Sequence, residues 1–192
     1  MENNLIYLQP LIEEFKRNEN PSDAFFMKKY MKNMYEFLGI KAPRRREIQS
    51  SFFKTYGLPQ IENIGAYIKY LWSLEHREYQ QFGNDLVDKV IKKLNISSIE
   101  TLEYIIINKS WWDTVDFTAS NLVGPFFKKF PELIIPTTEK WMKSNNMWLH
   151  RTCLLFQLKY KKSTDFDLLK SCIQELMHSK EFFIRKIGRE HV

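Results

Sequence analysis

Apolar residues recur three and four positions apart through most of the chain, and runs of strict apolar-polar alternation are almost absent. That is the period of helices buried along one face, not of strands, whose side chains point alternately to opposite sides. Six glycines and seven prolines punctuate the pattern, so the sequence reads as helix after helix joined by short turns. Helix-start signals recur at Asn20-Pro21 with Asp23, at Pro43, at Ser97 with Glu100, at Ser110 with Asp113 and at Thr164 with Asp167. Each supplies an oxygen for the free amides of a first turn, or a proline that needs no partner there. They divide the chain into roughly eleven helices, and the expected fold class is all-α.

Helical arrays often repeat, and three stretches echo one another: "REYQQFGNDL", "MWLHRTCLLF" and "FFIRKIGREH". Aligned, they put Gln81, Arg151 and Lys186 in register, at separations of 70 and 35 residues. Stepping by 35 fills the gap at Asp116 and lands on Arg46 one step before Gln81. The series Arg46, Gln81, Asp116, Arg151, Lys186 is polar at every step. One reading is chance. The other is a superhelical stack of antiparallel helix pairs, a HEAT-like or ARM-type solenoid, whose repeats line these residues along one concave surface. A polar, cationic track of that kind suits a nucleic-acid duplex.

At 192 residues, 44% of them apolar, the chain fits one domain spanning 1–192 with ample material for a core. Its net charge of +6 favours a polyanionic partner. The run "KAPRRRE" concentrates that charge, and it reads either as a nucleic-acid contact or as the solvated first turns of a helix. The longest apolar runs fall far short of the roughly 20 residues that span a bilayer, so no membrane partner is expected. The acidic start "MENNLIYLQPLIEEF" lacks a basic region before a cleavage site and reads as a mature cytoplasmic terminus. Cys153 and Cys172 sit in helical apolar stretches and read as reduced core residues. His76, His150, His178 and His191 show no metal-ligand spacing, so neither a metal nor a cofactor is expected.

The stretch "NKSWWDTVD", residues 108–116, sets two tryptophans beside two carboxylates. At about 100° per residue, Trp111, Val115, Leu122 and Phe126 form one apolar stripe and Trp112, Asp116 and Ser120 a neighbouring one. Trp111 then reads as core. Ser110-x-x-Asp113 matches a capping box, which gives Asp113 a structural task. Asp116 is left one turn from Trp112 on a shared face. A carboxylate beside an indole stabilises developing positive charge. Alternatively Asp116 forms a salt bridge with Arg151 in the next repeat, and the two readings are compatible.

The segments "YMKNMYEFLGIKAPRRRE", "KSWWDTVD", "WLHRTCLLFQLKYK" and "SKEFFIRK" together resemble the AlkD family of HEAT-like-repeat DNA glycosylases. The resemblance runs from near residue 24 to about residue 188 with continuous spacing. It implies a superhelical all-α fold and a monomer that hydrolyses the N-glycosidic bond of cationic N3- and N7-alkylpurines in duplex DNA, without turning the base out of the helix. By the same resemblance Trp112 packs against the lesion's deoxyribose, and Asp116 stabilises the oxocarbenium-like sugar and positions water. Arg151 holds Asp116 and the DNA backbone. Tyr30, Phe182 and Phe183 match positions flanking this site, and Arg46, Gln81 and Lys186 join the DNA-binding set. The chain departs from the family at its end: Arg189 follows Gly188 where a second site tryptophan is expected, and the family's C-terminal capping repeat is missing. That departure leaves a non-catalytic module that binds DNA structure as the alternative reading.

Overall fold

The computed structural model describes residues 6–187, and every regular element among them is helical. Twelve α-helical segments run in order: α1 (Gln9–Arg17), α2 (Pro21–Tyr30), α3 (Ala42–Tyr56), α4 (Ile64–Ser73), α5 (Arg77–Val90), α6 (Ile99–Ile107), α7 (Trp112–Phe117), α8 (Gly124–Lys129), α9 (Ile134–Met142), α10 (Met147–Leu155), α11 (Phe166–Leu176) and α12 (Phe182–Arg185). A π-helical segment, Thr118–Val123, joins α7 to α8 without a break. The all-α expectation holds. The expected tryptophan-for-arginine departure at Gly188 and Arg189 lies outside the described residues.

Some start signals work as read and others do not. Asn20 accepts from the amide of Asp23 at 3.2 Å and opens α2, and Pro43 sits in the first turn of α3. The start expected at Thr164 belongs instead to Asp165, whose carboxylate accepts from the Leu168 amide at 3.0 Å. Ser97 opens no α-helix. It lies in the short 3-10 turn Ile96–Ser98, where its hydroxyl donates to Asn95 Oδ1 at 2.7 Å. Asn146, not singled out from the sequence, caps α10 by accepting from the amides of Trp148 at 2.9 Å and Leu149 at 3.4 Å.

The chain divides into two compact units, Met1–Val90 and Ile91–Val192. In the first, α4 packs on α5 and α1 on α3 around Phe15, Phe52, Ile68, Leu71, Phe82 and Leu86, all buried. The 31–41 loop is fixed to α5 by an unusual means. Glu78, wholly buried, accepts three successive backbone amides: Leu38 at 3.0 Å, Gly39 at 2.9 Å and Ile40 at 3.1 Å. Three convergent amides form a concave anion nest, which answers a carboxylate that burial would otherwise penalise. Gly39 is required by this loop. Its φ is +85°, and a Cβ there would lie 2.1 Å from the Asn20 carbonyl oxygen. Next to it Arg77, also wholly buried, holds its guanidinium 4.0 Å from the Tyr35 ring centroid.

In the second unit α10 packs against α6, α7, α9, α11 and α12, with Ile105, Leu122, Phe126, Phe127, Trp141 and Phe156 at its core. Cys153 and Cys172 are buried and free here, and burial pushes both thiols up from their ordinary value, as a structural role requires.

The nest in the first unit makes a prediction about stability. Glu78→Ala leaves three buried amides unanswered at about 1–3 kcal/mol each, so a loss of at least about 3 kcal/mol is expected in urea unfolding. Glu78→Gln keeps an acceptor oxygen and should cost less than half as much. Equal losses for the two variants would show that side-chain packing, not amide satisfaction, is what Glu78 supplies.

Candidate active site

At the start of α7 the Ser110 hydroxyl donates backwards to the Ile106 carbonyl at 2.6 Å, closing the end of α6. Asn108 Nδ2 does the same for the Tyr104 carbonyl at 2.9 Å. The cap position is Trp111, in extended backbone with no side-chain cap bond. Asp113 stands in the first turn, where a carboxylate faces the positive end of the helix dipole. Between the two helices Lys109 adopts φ +46°, a conformation costing a non-glycine residue about 1 kcal/mol or more. The donors on either side of it hold that link in place.

Trp112 is therefore the first residue of α7, half-buried, and Asp116 follows one turn later. Asp116 is gripped by Arg151 of α10 through two parallel bonds: Nε to Oδ1 at 2.6 Å and Nη2 to Oδ2 at 2.7 Å. This fork-to-fork geometry fixes the carboxylate in plane and direction. The partners differ sharply in exposure, since the Arg151 side chain is 5% exposed and that of Asp116 32%. Arg151 lies beneath the carboxylate and Asp116 presents its outer edge to solvent. The remaining guanidinium nitrogen, Nη1, donates to the Phe183 carbonyl of α12. Arg151 thus holds Asp116 and the Phe183 carbonyl with three of its five N–H donors.

From Thr118, two residues after Asp116, the helix widens. The cause is Pro125: it has no amide to offer, and its ring would collide with the carbonyl four residues back. The π segment absorbs this with one residue more than an α-turn holds, and such turns concentrate at functional sites. Three side chains within it turn back on the preceding carbonyls: Thr118 Oγ1 to Thr114 at 2.8 Å, Ser120 Oγ to Asp116 at 2.9 Å and Asn121 Nδ2 to Phe117 at 3.1 Å. Ser120 is buried at 7% exposure. Downstream, Gly124 lets the 156 backbone approach. A Cβ there would lie 2.4 Å from the Phe156 carbonyl oxygen, and Tyr160 Oη donates to the Gly124 carbonyl at 2.8 Å.

The profile of the family described as DNA alkylation repair enzyme matches residues 11–187. The chain belongs to the DNA alkylation repair enzyme family. A solved structure described as a predicted DNA alkylation repair enzyme from Enterococcus faecalis is similar to it at 28% identity, with a TM-score of 0.80 over 88% of this chain and 78% of that one. None of the curated proteins compared matches it. A DNA repair role follows from family membership.

Trp111 is not plain core. It is half-buried in an aromatic triad, 6.0 Å from Trp148 and 4.9 Å from Phe183 by ring centroids, and its indole Nε1 is buried without a hydrogen-bond partner. Phe183 packs inside that triad, and Phe182 stands 62% exposed beside it with the Lys186 ammonium 5.5 Å from its ring centroid. Trp112, Asp116, Arg151 and α12 therefore gather in the second unit. Tyr30, exposed on α2, Arg46, exposed on α3, and Gln81 of α5 belong to the first unit. There Arg45, the neighbour of Arg46, donates to Gln81 and also lies 3.8 Å from Asp85. Among the described residues no helix is long and apolar enough to cross a membrane, and no three His, Cys, Asp or Glu side chains gather as metal ligands would.

The packing around Gly124 is open to test at high pH. Burial pushes the Tyr160 hydroxyl up to about 12, above its unfolded value near 10. The unfolded chain therefore loses this proton first, and stability should fall as pH rises from about 10 to 12. Tyr160→Phe should flatten part of that fall and cost about 1 kcal/mol at neutral pH for the lost bond to Gly124. Urea midpoints of both proteins between pH 8 and pH 12 measure this, and identical pH profiles would remove Tyr160 from the account.

Proposed function

We propose that this family member is a DNA glycosylase that hydrolyses the N-glycosidic bond of cationic N3- and N7-alkylpurines in duplex DNA without extruding the base. The observation that carries this reading is the Asp116 carboxylate, clamped through both oxygens by a buried arginine while a third of its side chain stays exposed. A general acid would need a proton to give and freedom to give it. A carboxylate fixed by a guanidinium is suited instead to opposing positive charge.

The chemistry needs little more than that. An alkylated purine already carries positive charge, so the C1′–N bond breaks with its electron pair leaving on the base, and the sugar becomes oxocarbenium-like. Water then adds to C1′ and loses a proton. Asp116 opposes the sugar's charge and orients that water through the outer lone pairs of its oxygens. Trp112, one turn earlier on the same helix, packs against the deoxyribose. Arg151 is a positioning residue that keeps the carboxylate aimed. At about 4 Å and an effective dielectric near 20, one carboxylate stabilises a unit positive charge by about 4 kcal/mol. That corresponds to about a thousandfold in rate before the opposing field of Arg151 is subtracted. The exposed position of Asp116 on a helix surface favours a lesion that stays stacked in the duplex over one swung into a deep pocket. The substrate is duplex DNA, and the site needs no cofactor.

Asp116→Asn keeps one acceptor for Arg151 but turns an amide NH2 toward the other guanidinium nitrogen, so a stability loss of about 1–3 kcal/mol in urea unfolding is expected with the protein still folded. It should bind DNA at least as well, because it removes a negative charge facing phosphates. Excision of 7-methylguanine from duplex DNA should drop on the order of 10²-fold or more, the usual scale for one preorganised electrostatic contact. Release of the free base under single turnover is the measurement. If the unaltered chain releases no base above background yet retains duplex binding, the enzyme reading gives way to a non-catalytic module that binds DNA structure.

A further inference from the structure

We propose that a lysine cluster in the second unit is an additional phosphate-gripping surface for duplex DNA, separate from the Asp116 site and concerned with affinity alone. It consists of Lys92 and Lys93, Lys128 and Lys159, and Lys161 and Lys162, all exposed. This inference rests on the DNA reading above but goes beyond it, since none of these six residues belongs to the proposed lesion site.

Three turns distant in sequence are drawn together here. Lys129 ties the first to the second: its ammonium donates to the Lys92 carbonyl at 2.8 Å and the Leu94 carbonyl at 2.6 Å. Lys128 ties the second to the third by lying 4.3 Å from the ring centroid of Tyr160, whose neighbours are Lys159 and Lys161. Lys161 adopts φ +53°, a left-handed conformation that a side chain enters only at a cost. Among the described residues none of these lysines forms an ion pair with a carboxylate, although elsewhere in the same unit Glu103 pairs with Lys140 at 2.8 Å and Glu139 with Lys143 at 3.8 Å.

The dipoles of helix ends do not explain the excess. A helix C-terminus carries about half a negative charge, so three such ends would supply roughly −1.5. Seven lysines, Lys129 included, leave the cluster strongly positive, and such self-repulsion works against the folded state. A polyanion lowers that repulsion on binding and releases its own counterions in exchange.

The cluster is also linked to the proposed lesion site by hydrogen bonds. Lys159 donates to Asn121 Oδ1, Asn121 Nδ2 donates to Ser120 Oγ at 3.2 Å, and Ser120 donates to the Asp116 carbonyl at 2.9 Å. The two surfaces are thus joined by a continuous hydrogen-bonded path within the second unit.

The test neutralises Lys92, Lys93, Lys161 and Lys162 to glutamine together, since none of the four side chains bonds to the fold. Equal urea midpoints before and after check folding. Binding is measured on an unmodified duplex across a salt series, and excision on a duplex bearing 7-methylguanine at saturating protein. The expected result is a salt slope shallower by about two to four phosphate equivalents, at roughly 0.9 per contact, with at least about tenfold weaker binding at moderate salt and an unchanged single-turnover rate. An unchanged slope and affinity, with excision still abolished by Asp116→Asn, would overturn the surface and leave the glycosylase reading standing. A shallower slope in a protein that excises nothing would uphold the surface and reject the glycosylase. A lower single-turnover rate at saturation would place these lysines in the reaction itself and overturn their separation from it.

Discussion

Burying an arginine is costly unless its guanidinium finds hydrogen-bond partners, and in the second unit Arg151 finds them on two other helices. Two nitrogens face the Asp116 carboxylate of α7 and a third faces the Phe183 carbonyl of α12. In the same unit Trp111 and Trp148 close with Phe183, the residue whose carbonyl Arg151 holds, while Asp116 keeps one edge in water. If the guanidinium were lost, α12 and the start of α7 would lose a shared partner at once. The direction in which the carboxylate points is thus a property of three helices rather than of one.

The first unit meets the same difficulty with the opposite charge. Glu78 is satisfied by three backbone amides of the 31–41 loop. A cation would answer the same charge from a flexible side chain. Amides answer it only when the chain is bent into one shape, so the carboxylate specifies the loop conformation as well as its docking. Gly39 is the residue that makes this bend sterically possible.

The helical class and most helix positions were legible because apolar periodicity records burial directly. Asp116 and Arg151 stood out because capping and packing left the first without a task and a 35-residue spacing joined the two. What escaped was set by local competition among side chains. Ser110 turns its hydroxyl back on the Ile106 carbonyl, a contact that no spacing rule records. Arg45 and Arg46 are equivalent in composition, and only helix rotation decides that Arg45 turns inward to Gln81. The π segment was signalled by Pro125 behind Thr118, Ser120 and Asn121, but an apolar stripe drawn at 100° per residue runs straight through it. The unpartnered indole of Trp111 left no mark in the sequence at all, since it arises from the packing of three helices.

The widened turn has a consequence for how this helix tolerates change in length. An ordinary helix that loses one residue rotates everything beyond the gap by about 100° and puts its buried side into water. Here the surplus residue already exists, so a deletion between Thr118 and Val123 could be taken up by tightening the turn to α geometry. Phe126 and Phe127 would then stay in the core and Asp116 would stay opposite Arg151, since only the turn between them changes. What would return is the crowding of the Pro125 ring against the carbonyl four residues before it, so the cost of the deletion would be local strain and not a helix turned inside out.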